Sequence, residues 1–212
     1  MVKFFISLTV LMLFTTGCTK IYYAGMEKVG IHKRDIMVSR VKDVQESQEE
    51  AQEEFKSALE QFGSLVTIKE TGLKKAYDKF NSQYEDAKEA AEDLSKDINK
   101  LEDVSLALFK EWEEEITQYK NAKLKAQSKK KLRNTKAKYK KMMASMRRSE
   151  KKMEPILATF YDNVLTLKHS LNAQAIGALQ GEFSSLKNNI SVLMKQMNQS
   201  IKESDKFIQE MQ

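Results

Sequence analysis

Residues 37–65 read MVSRVKDVQESQEEAQEEFKSALEQFGSL. The positions expected to face a core, which we call the seam, recur in this stretch at alternating steps of four and three. These positions are Met37, Val41, Val44, Gln48, Ala51, Phe55, Ala58, Phe62 and Leu65. Such spacing places one residue of each helical turn on a single face, as in a coiled coil or a helical bundle. The glutamates between them fall off that face and are expected in solvent. The stretch therefore predicts a long amphipathic helix.

The same repeat recurs three times toward the C-terminus. A second apolar seam covers residues 73–112, a third covers residues 132–171 and a fourth covers residues 176–211. The phase slips between the second and third seams within residues 126–132, which fits either a hairpin tip or a kink in one very long helix. It slips again within residues 169–175. With short links between them, long helices pack as antiparallel neighbours.

Individual residues predict where these helices begin, bend and end. The first helix is expected to start near Ile21, and Gly63 and Gly72 flank the first predicted turn. Asn172 is predicted to be the N-cap of the last helix. Pro155 lies inside the third seam and is expected to bend that helix without ending it, because the repeat continues on both sides.

The composition of the chain agrees with long helices. It contains one Pro and seven Gly in 212 residues, 31% of its residues are charged, and it has no strand-like alternation of any length. The predicted fold class is all-α: an elongated antiparallel bundle or coiled coil of three to four long helices. Residues 18–212 are expected to form this single domain.

Residues 1–17 have the pattern of an export signal. Lys3 precedes an apolar run, residues 4–14, that is shorter than the ~20 residues needed to span a membrane. Small residues then lead to the single cysteine of the chain, Cys18, as in a bacterial lipobox, where the cysteine becomes lipidated. A buried, unmodified thiol is the alternative. By resemblance to bacterial lipoproteins, a lipidated protein is expected at the outer membrane, facing the periplasm, because Thr19 is not the Asp that favours inner-membrane retention in those proteins.

Three residues next to the predicted anchor have the chemistry of a membrane interface. Tyr22 and Tyr23 follow Cys18 by four and five residues, and tyrosine favours the boundary between lipid and water. Lys20 beside them can meet lipid headgroups.

Charge is sorted along the chain. Residues 120–152 contain fifteen Lys and Arg against one acid, a net +14, whereas the whole protein carries only +6. Residues 43–115 contain twenty-one acids against nine lysines, a net −12. Such sorting indicates either that the acidic helices neutralise the basic stretch or that the basic stretch faces an external polyanion.

Three interpretations of the basic stretch follow: a solvated helix face partly neutralised by acidic helices, a surface for an anionic membrane or other envelope polyanion, and a nucleic-acid site. The export signal disfavours nucleic acid as a partner. On an ideal helix the cations surround much of the circumference, which favours an external partner. The residues predicted to bind a polyanion or anionic lipid are Lys129, Lys130, Lys131, Arg133, Lys136, Lys140, Lys141, Arg147 and Arg148.

Three strings carry a resemblance to a family. YYAGMEKVGIHKRDI at residues 22–36, FKEWE at residues 109–113 and LTLKHSLNA at residues 165–173 resemble an uncharacterised family of Gram-negative bacterial lipoproteins. The resemblance implies a lipoprotein and supplies no catalytic or binding residues. A looser likeness of shape is to BAR domains, whose long helices dimerise and lie on curved anionic membranes, although fold does not imply function.

No constellation in the sequence predicts catalysis, a metal or a cofactor. His32 and His169 lack partners at ligand spacing, apart from Asp35, which is flanked by Lys33 and Arg34. The methionines of residues 142–153 are expected to fill the core. We therefore predict a non-enzymatic, membrane-associated helical scaffold or remodeller. The alternative is a periplasmic coiled-coil adaptor. The expected partners are the membrane and either a second copy of the chain or another envelope protein.

Overall fold

Four long helices account for almost all of the described chain. The computed structural model describes residues 32–68, 72–170 and 172–211. The helices are α1, Lys33–Thr67; α2, Leu73–Gln118; α3, Ala122–His169; and α4, Ala173–Met211. At a rise of 1.5 Å per residue they are about 52–72 Å long. The described residues contain no strand, and the predicted all-α fold class is confirmed.

The helices form a closed antiparallel bundle. Helix α1 packs against α2 and α4, and α3 packs against the same two helices from the opposite corner. Their directions follow from pairs at the two ends of α1: Lys33 reaches Glu111 near the end of α2, whereas Phe62 contacts Phe80 near its start. Each later helix reverses direction in the same way. The topology is therefore up-down-up-down.

The predicted seams form the core. Every position of the first seam is buried, including the polar Gln48. In the later seams most positions are buried, and the exceptions lie at partly covered places, such as Tyr77, Trp112 and Phe183. The methionines at 142, 143, 146 and 153 are buried, so the prediction that they fill the core is confirmed.

Helix α1 ends within the region that Gly63 and Gly72 flank, as predicted, but Gly63 itself does not mark the end of the helix. Gly63 is inside α1, which continues to Thr67, and only Gly72 lies at the turn, with a positive φ of 102°. A Cβ on Gly63 would lie 2.8 Å from the Phe183 ring of α4. Gly63 therefore permits close packing between helices and does not mark a helix end.

The link between α2 and α3 is a hairpin tip, so of the two predicted alternatives the kink in one very long helix is wrong. It spans residues 119–121, where the Asn121 side chain accepts hydrogen bonds from the amides of Lys123 and Leu124. The phase slip at residues 126–132 lies inside α3, so its use as the link position was wrong. The apolar face of α3 begins at Leu132. The hairpin extends past the described ends of α1 and α4, so among the described helices only α2 faces the first turns of α3.

The other boundary predictions have mixed outcomes. The Asn172 side chain accepts a hydrogen bond from the Ala175 amide at 3.0 Å, which confirms it as an N-cap. Helix α3 continues through Pro155, as predicted. The predicted start of the first helix near Ile21 lies outside the described residues, where α1 begins at Lys33.

The bundle should scatter as an elongated particle. Four antiparallel helices of this length give a rod, whose radius of gyration exceeds the ~16 Å of a compact globule of similar chain length. Small-angle scattering of residues 18–212 measures this quantity directly. A radius near 16 Å would contradict the extended bundle.

Candidate polyanion-binding surface

The fold places a large excess of positive charge on one helix. Helix α3 carries fifteen Lys and Arg against three acids, a net +12. Helix α2 carries seven against thirteen, a net −6, and α1 carries five against eight, a net −3. Because α3 and α1 occupy opposite corners of the bundle, the molecule has one strongly basic side.

Acids on neighbouring helices pair with part of this charge. Lys136 binds Glu113 of α2 at 2.5 Å, and Lys141 lies 3.5 Å from Glu203 of α4. Lys138, which was not among the predicted residues, binds Glu210. Three predicted residues thus make pairs with acids: Lys136, Lys141 and Arg147. These pairs join helices and reduce the charge available to an outside ligand.

Arg147 has more hydrogen-bond partners than the other predicted cations. Its guanidinium donates to Glu102 at 2.7 Å, to Asn99 at 2.7 Å and to Glu150 at 3.0 Å. Burial alone would lower the pKa of Arg147, but the hydrogen bonds to Glu102 and Glu150 outweigh it and raise the pKa. Arg147 therefore ties α3 to α2 rather than facing outward.

The remaining predicted cations are available. They are exposed and form no ion pair with any other described residue: Lys129, Lys130, Lys131, Arg133, Lys140 and Arg148. Lys151 and Lys152 share these properties and were left out of the predicted set, although the charge run itself pointed to them. We call these eight residues the free basic surface. It extends about 35 Å along α3, from residue 129 to residue 152.

The free basic surface begins at the end of the bundle where α1 starts. A cleft of about 440 Å³ at this end is lined by His32, the last residue before α1, together with Trp112 of α2, Lys131 of α3 and Met211 of α4. The chain that precedes α1 is therefore attached next to the basic hairpin.

The hairpin and the middle of α3 each border a groove against α2. One groove, of about 490 Å³, lies in the hairpin between Ile116 of α2 and Lys129 and Arg133 of α3. The other, of about 640 Å³, lies nearer the opposite end, where Tyr84 and Tyr161 stack with ring centres 5.9 Å apart. The sequence predicted neither groove, because each needs two helices in register.

The predicted anchor and interface residues cannot be placed on this surface. Cys18, Lys20, Tyr22 and Tyr23 lie outside the described residues.

Within the described ranges, no group of three or more His, Cys, Asp or Glu side chains is arranged to hold a metal. His169 lies in the last turn of α3, as expected for a helix-end residue. None of the described helices is long and apolar enough to cross a membrane.

Comparison with known proteins gives a family match. A model described as "Protein of unknown function (DUF2959)" matches residues 22–211. No curated protein and no solved structure matches the chain. The match covers all four helices and begins ten residues before His32.

Proposed function

The chain belongs to the DUF2959 family, whose function is unknown, and we propose that it is a non-enzymatic, lipid-anchored envelope protein that works as a membrane-associated helical scaffold. One observation carries the proposal: the free basic surface begins at the end of the bundle where α1 starts. A lipid anchor on Cys18 would therefore bring this basic end to the membrane.

The length of the preceding chain limits how far the bundle can stand from its anchor. Cys18 precedes His32 by fourteen residues, which reach at most about 46–50 Å when fully extended. The free basic surface itself extends about 35 Å. A tether of this reach keeps the surface close to the headgroups, so binding to them becomes nearly intramolecular.

The expected attraction is substantial. Each Lys or Arg near an anionic leaflet contributes about 1 kcal/mol. Even half of the eight residues of the free basic surface would then bind appreciably. The attraction should weaken with salt, because the Debye length falls from ~10 Å at 0.1 M to ~3 Å at 1 M.

Vesicle co-sedimentation tests the proposal. The mature chain with Cys18→Ser should sediment with anionic vesicles at low salt and release at high salt. Reversing Lys129, Lys130, Lys131 and Arg133 to Glu should abolish binding. It replaces four positive charges with four negative ones at the end of the surface nearest the anchor, where the anionic lipids then repel the protein. Circular dichroism should show the same helicity in both proteins.

A matched control separates this surface from net charge. Lys74, Lys75, Lys79 and Lys88 are exposed on α2, toward the other end of the bundle. Reversing these four changes the net charge by the same amount and should leave most of the binding intact. Equal losses in the two variants, or binding by neither the parent nor the variants, would overturn the proposal.

Remodelling and dimerisation are finer parts of the same proposal. A bundle that bends membranes in the manner of BAR domains would form tubules from anionic vesicles under the electron microscope, and a dimer would show twice the chain mass in light scattering. The length of the bundle and its one-sided charge are the features that support this finer part of the proposal.

An adaptor for another envelope protein is the second candidate. The groove around Tyr84 and Tyr161 supports it, since Tyr161 is 47% exposed and Leu157 and Ala158 extend the apolar lining. Aromatic side chains are enriched in protein interfaces. Absence of vesicle binding, together with a crosslink from residue 161 to another protein in intact cells, would favour this function.

A further inference from the structure

We propose that the groove within the α2–α3 hairpin binds the headgroup of a lipid that ends in a phosphate monoester. The inference rests on the proposed function, because the ligand must lie in the membrane that the basic end approaches. It adds a defined site and a headgroup chemistry to a surface that otherwise acts through its general charge. We call this site the hairpin groove.

The hairpin groove combines one cationic wall with an apolar floor. The floor consists of two buried side chains, Ile116 of α2 and Leu132 of α3. The wall consists of four cations from one face of α3, spaced by four, four and three residues: Lys125, Lys129, Arg133 and Lys136. The volume of about 490 Å³ falls within the range of small-ligand sites.

The charge of the groove is far from balanced. Among the described residues that line it, Glu113 is the one acid, and it binds Lys136 at 2.5 Å. Lys125 donates to the backbone carbonyl of Thr117 at 3.4 Å, which leaves its charge uncompensated. Lys129 and Arg133 have no acidic partner within the described part of the chain. Four cations against one acid give the groove a net +3.

An anion with two negative charges suits this arrangement. Lys129 and Arg133 are one helical turn apart, so their like charges repel and destabilise α3. A phosphate between them would replace that repulsion with two attractions. The planar guanidinium of Arg133 can bind two phosphate oxygens at once, while Lys129 supplies a mobile point charge. A monoester carries about −1.5 to −2 charges at neutral pH, whereas a diester carries one.

The floor and the position of the groove favour a phosphate carried by a lipid. Ile116 and Leu132 offer apolar atoms below the cations, which a free phosphate ion would not use. The groove also lies in the hairpin that projects beyond the described ends of α1 and α4, at the end where α1 begins. A headgroup at the membrane surface can therefore enter it without the bundle opening.

Vesicles of matched surface charge test the headgroup preference. The mature chain with Cys18→Ser is titrated with vesicles containing phosphatidic acid, a monoester, and with vesicles containing enough phosphatidylglycerol, a diester, to give the same surface potential. We expect the apparent Kd to be about tenfold lower for phosphatidic acid, as for one additional strong charge-assisted hydrogen bond. The double variant Lys129→Gln with Arg133→Gln should lose this preference.

A control variant and a gain-of-function variant make the test specific. Lys151→Gln with Lys152→Gln removes the same charge from the free basic surface outside the groove, so it should weaken binding to both kinds of vesicle alike and keep the preference. Glu113→Gln releases Lys136 and raises the groove to +4. It should bind phosphatidic acid about two- to threefold more tightly. A purely structural role of Glu113 would not produce tighter binding.

The outcomes separate this inference from the proposed function. Equal affinity for the two charge-matched vesicles would overturn the groove while leaving general membrane binding in place. An equal loss of the preference for phosphatidic acid in the Lys129/Arg133 and Lys151/Lys152 variants would do the same. Displacement from phosphatidic acid vesicles by glycerol 3-phosphate at the same phosphate concentration would overturn the lipid as the source. No binding to either vesicle would overturn both.

Discussion

Replacing Phe80 by alanine is expected to lower the free energy of unfolding by about 3–5 kcal/mol. Phe80 is fully buried, and its ring centre lies 5.1 Å from that of Phe62 and 5.7 Å from that of Phe160. These rings belong to α1, α2 and α3, so one truncation leaves a cavity where three helices meet. Urea or thermal unfolding followed by circular dichroism measures the loss.

The matched control lies on the same helix. Glu89 is exposed and forms no ion pair with another described residue, so Glu89→Ala should change the stability by less than about 0.5 kcal/mol. The contrast tests whether the apolar seam, rather than the charged face, stabilises the bundle. If the two variants unfold alike, the register of α2 against its neighbours is wrong.

The helices were predictable because burial repeats with the helical period. The first seam predicted even Gln48, which is fully buried and donates to Ser149 of α3 at 3.1 Å. The fourth seam has a gap between Met197 and Phe207, and the structure fills that gap with two buried serines at positions 200 and 204. Serine carries no apolar signal, so periodicity alone could not find them.

The turns were harder to place, for a physical reason. A seam marks where a helix faces a core, whereas a turn marks where the chain reverses. In the hairpin these differ, because residues 122–131 are helical but precede the buried Leu132. The interpretation of Gly63 as a residue at the helix end was also wrong. The close approach of the Phe183 ring accounts for this glycine.

The candidate surface was predictable in location but not in detail. A run of fifteen cations identifies a basic surface from sequence alone. Which of them remain free depends on acids that are distant in the chain, such as Glu203 beside Lys141 and Glu102 beside Arg147. The hairpin groove also needed the register of α2 against α3, which no single seam determines.

Replacing Cys18 by serine is expected to abolish lipid labelling completely. Cells grown with labelled palmitate should incorporate the label into the wild-type protein and into a Thr19→Ser control. Because Cys18 is the single cysteine of the chain, no other thiol can take its place. Equal labelling of wild type and Cys18→Ser, or labelling of neither, would remove the lipid anchor from the proposed function.

The same variant separates the anchor from the basic surface. One acyl chain binds a membrane marginally, whereas two or more bind stably, so the lipidated wild type should stay with membranes in 1 M salt. Residues 18–212 with Cys18→Ser lack both the lipid and the export signal, so when they are added back to the membrane fractions, electrostatic attraction should hold them at low salt and release them as the Debye length shrinks toward ~3 Å. Adding the reversals of Lys129, Lys130, Lys131 and Arg133 should release them at every salt concentration. Membrane fractions washed at increasing salt and probed for the protein measure all three states. If the doubly altered protein remained bound, a contact other than the anchor and the basic surface would hold the bundle at the membrane.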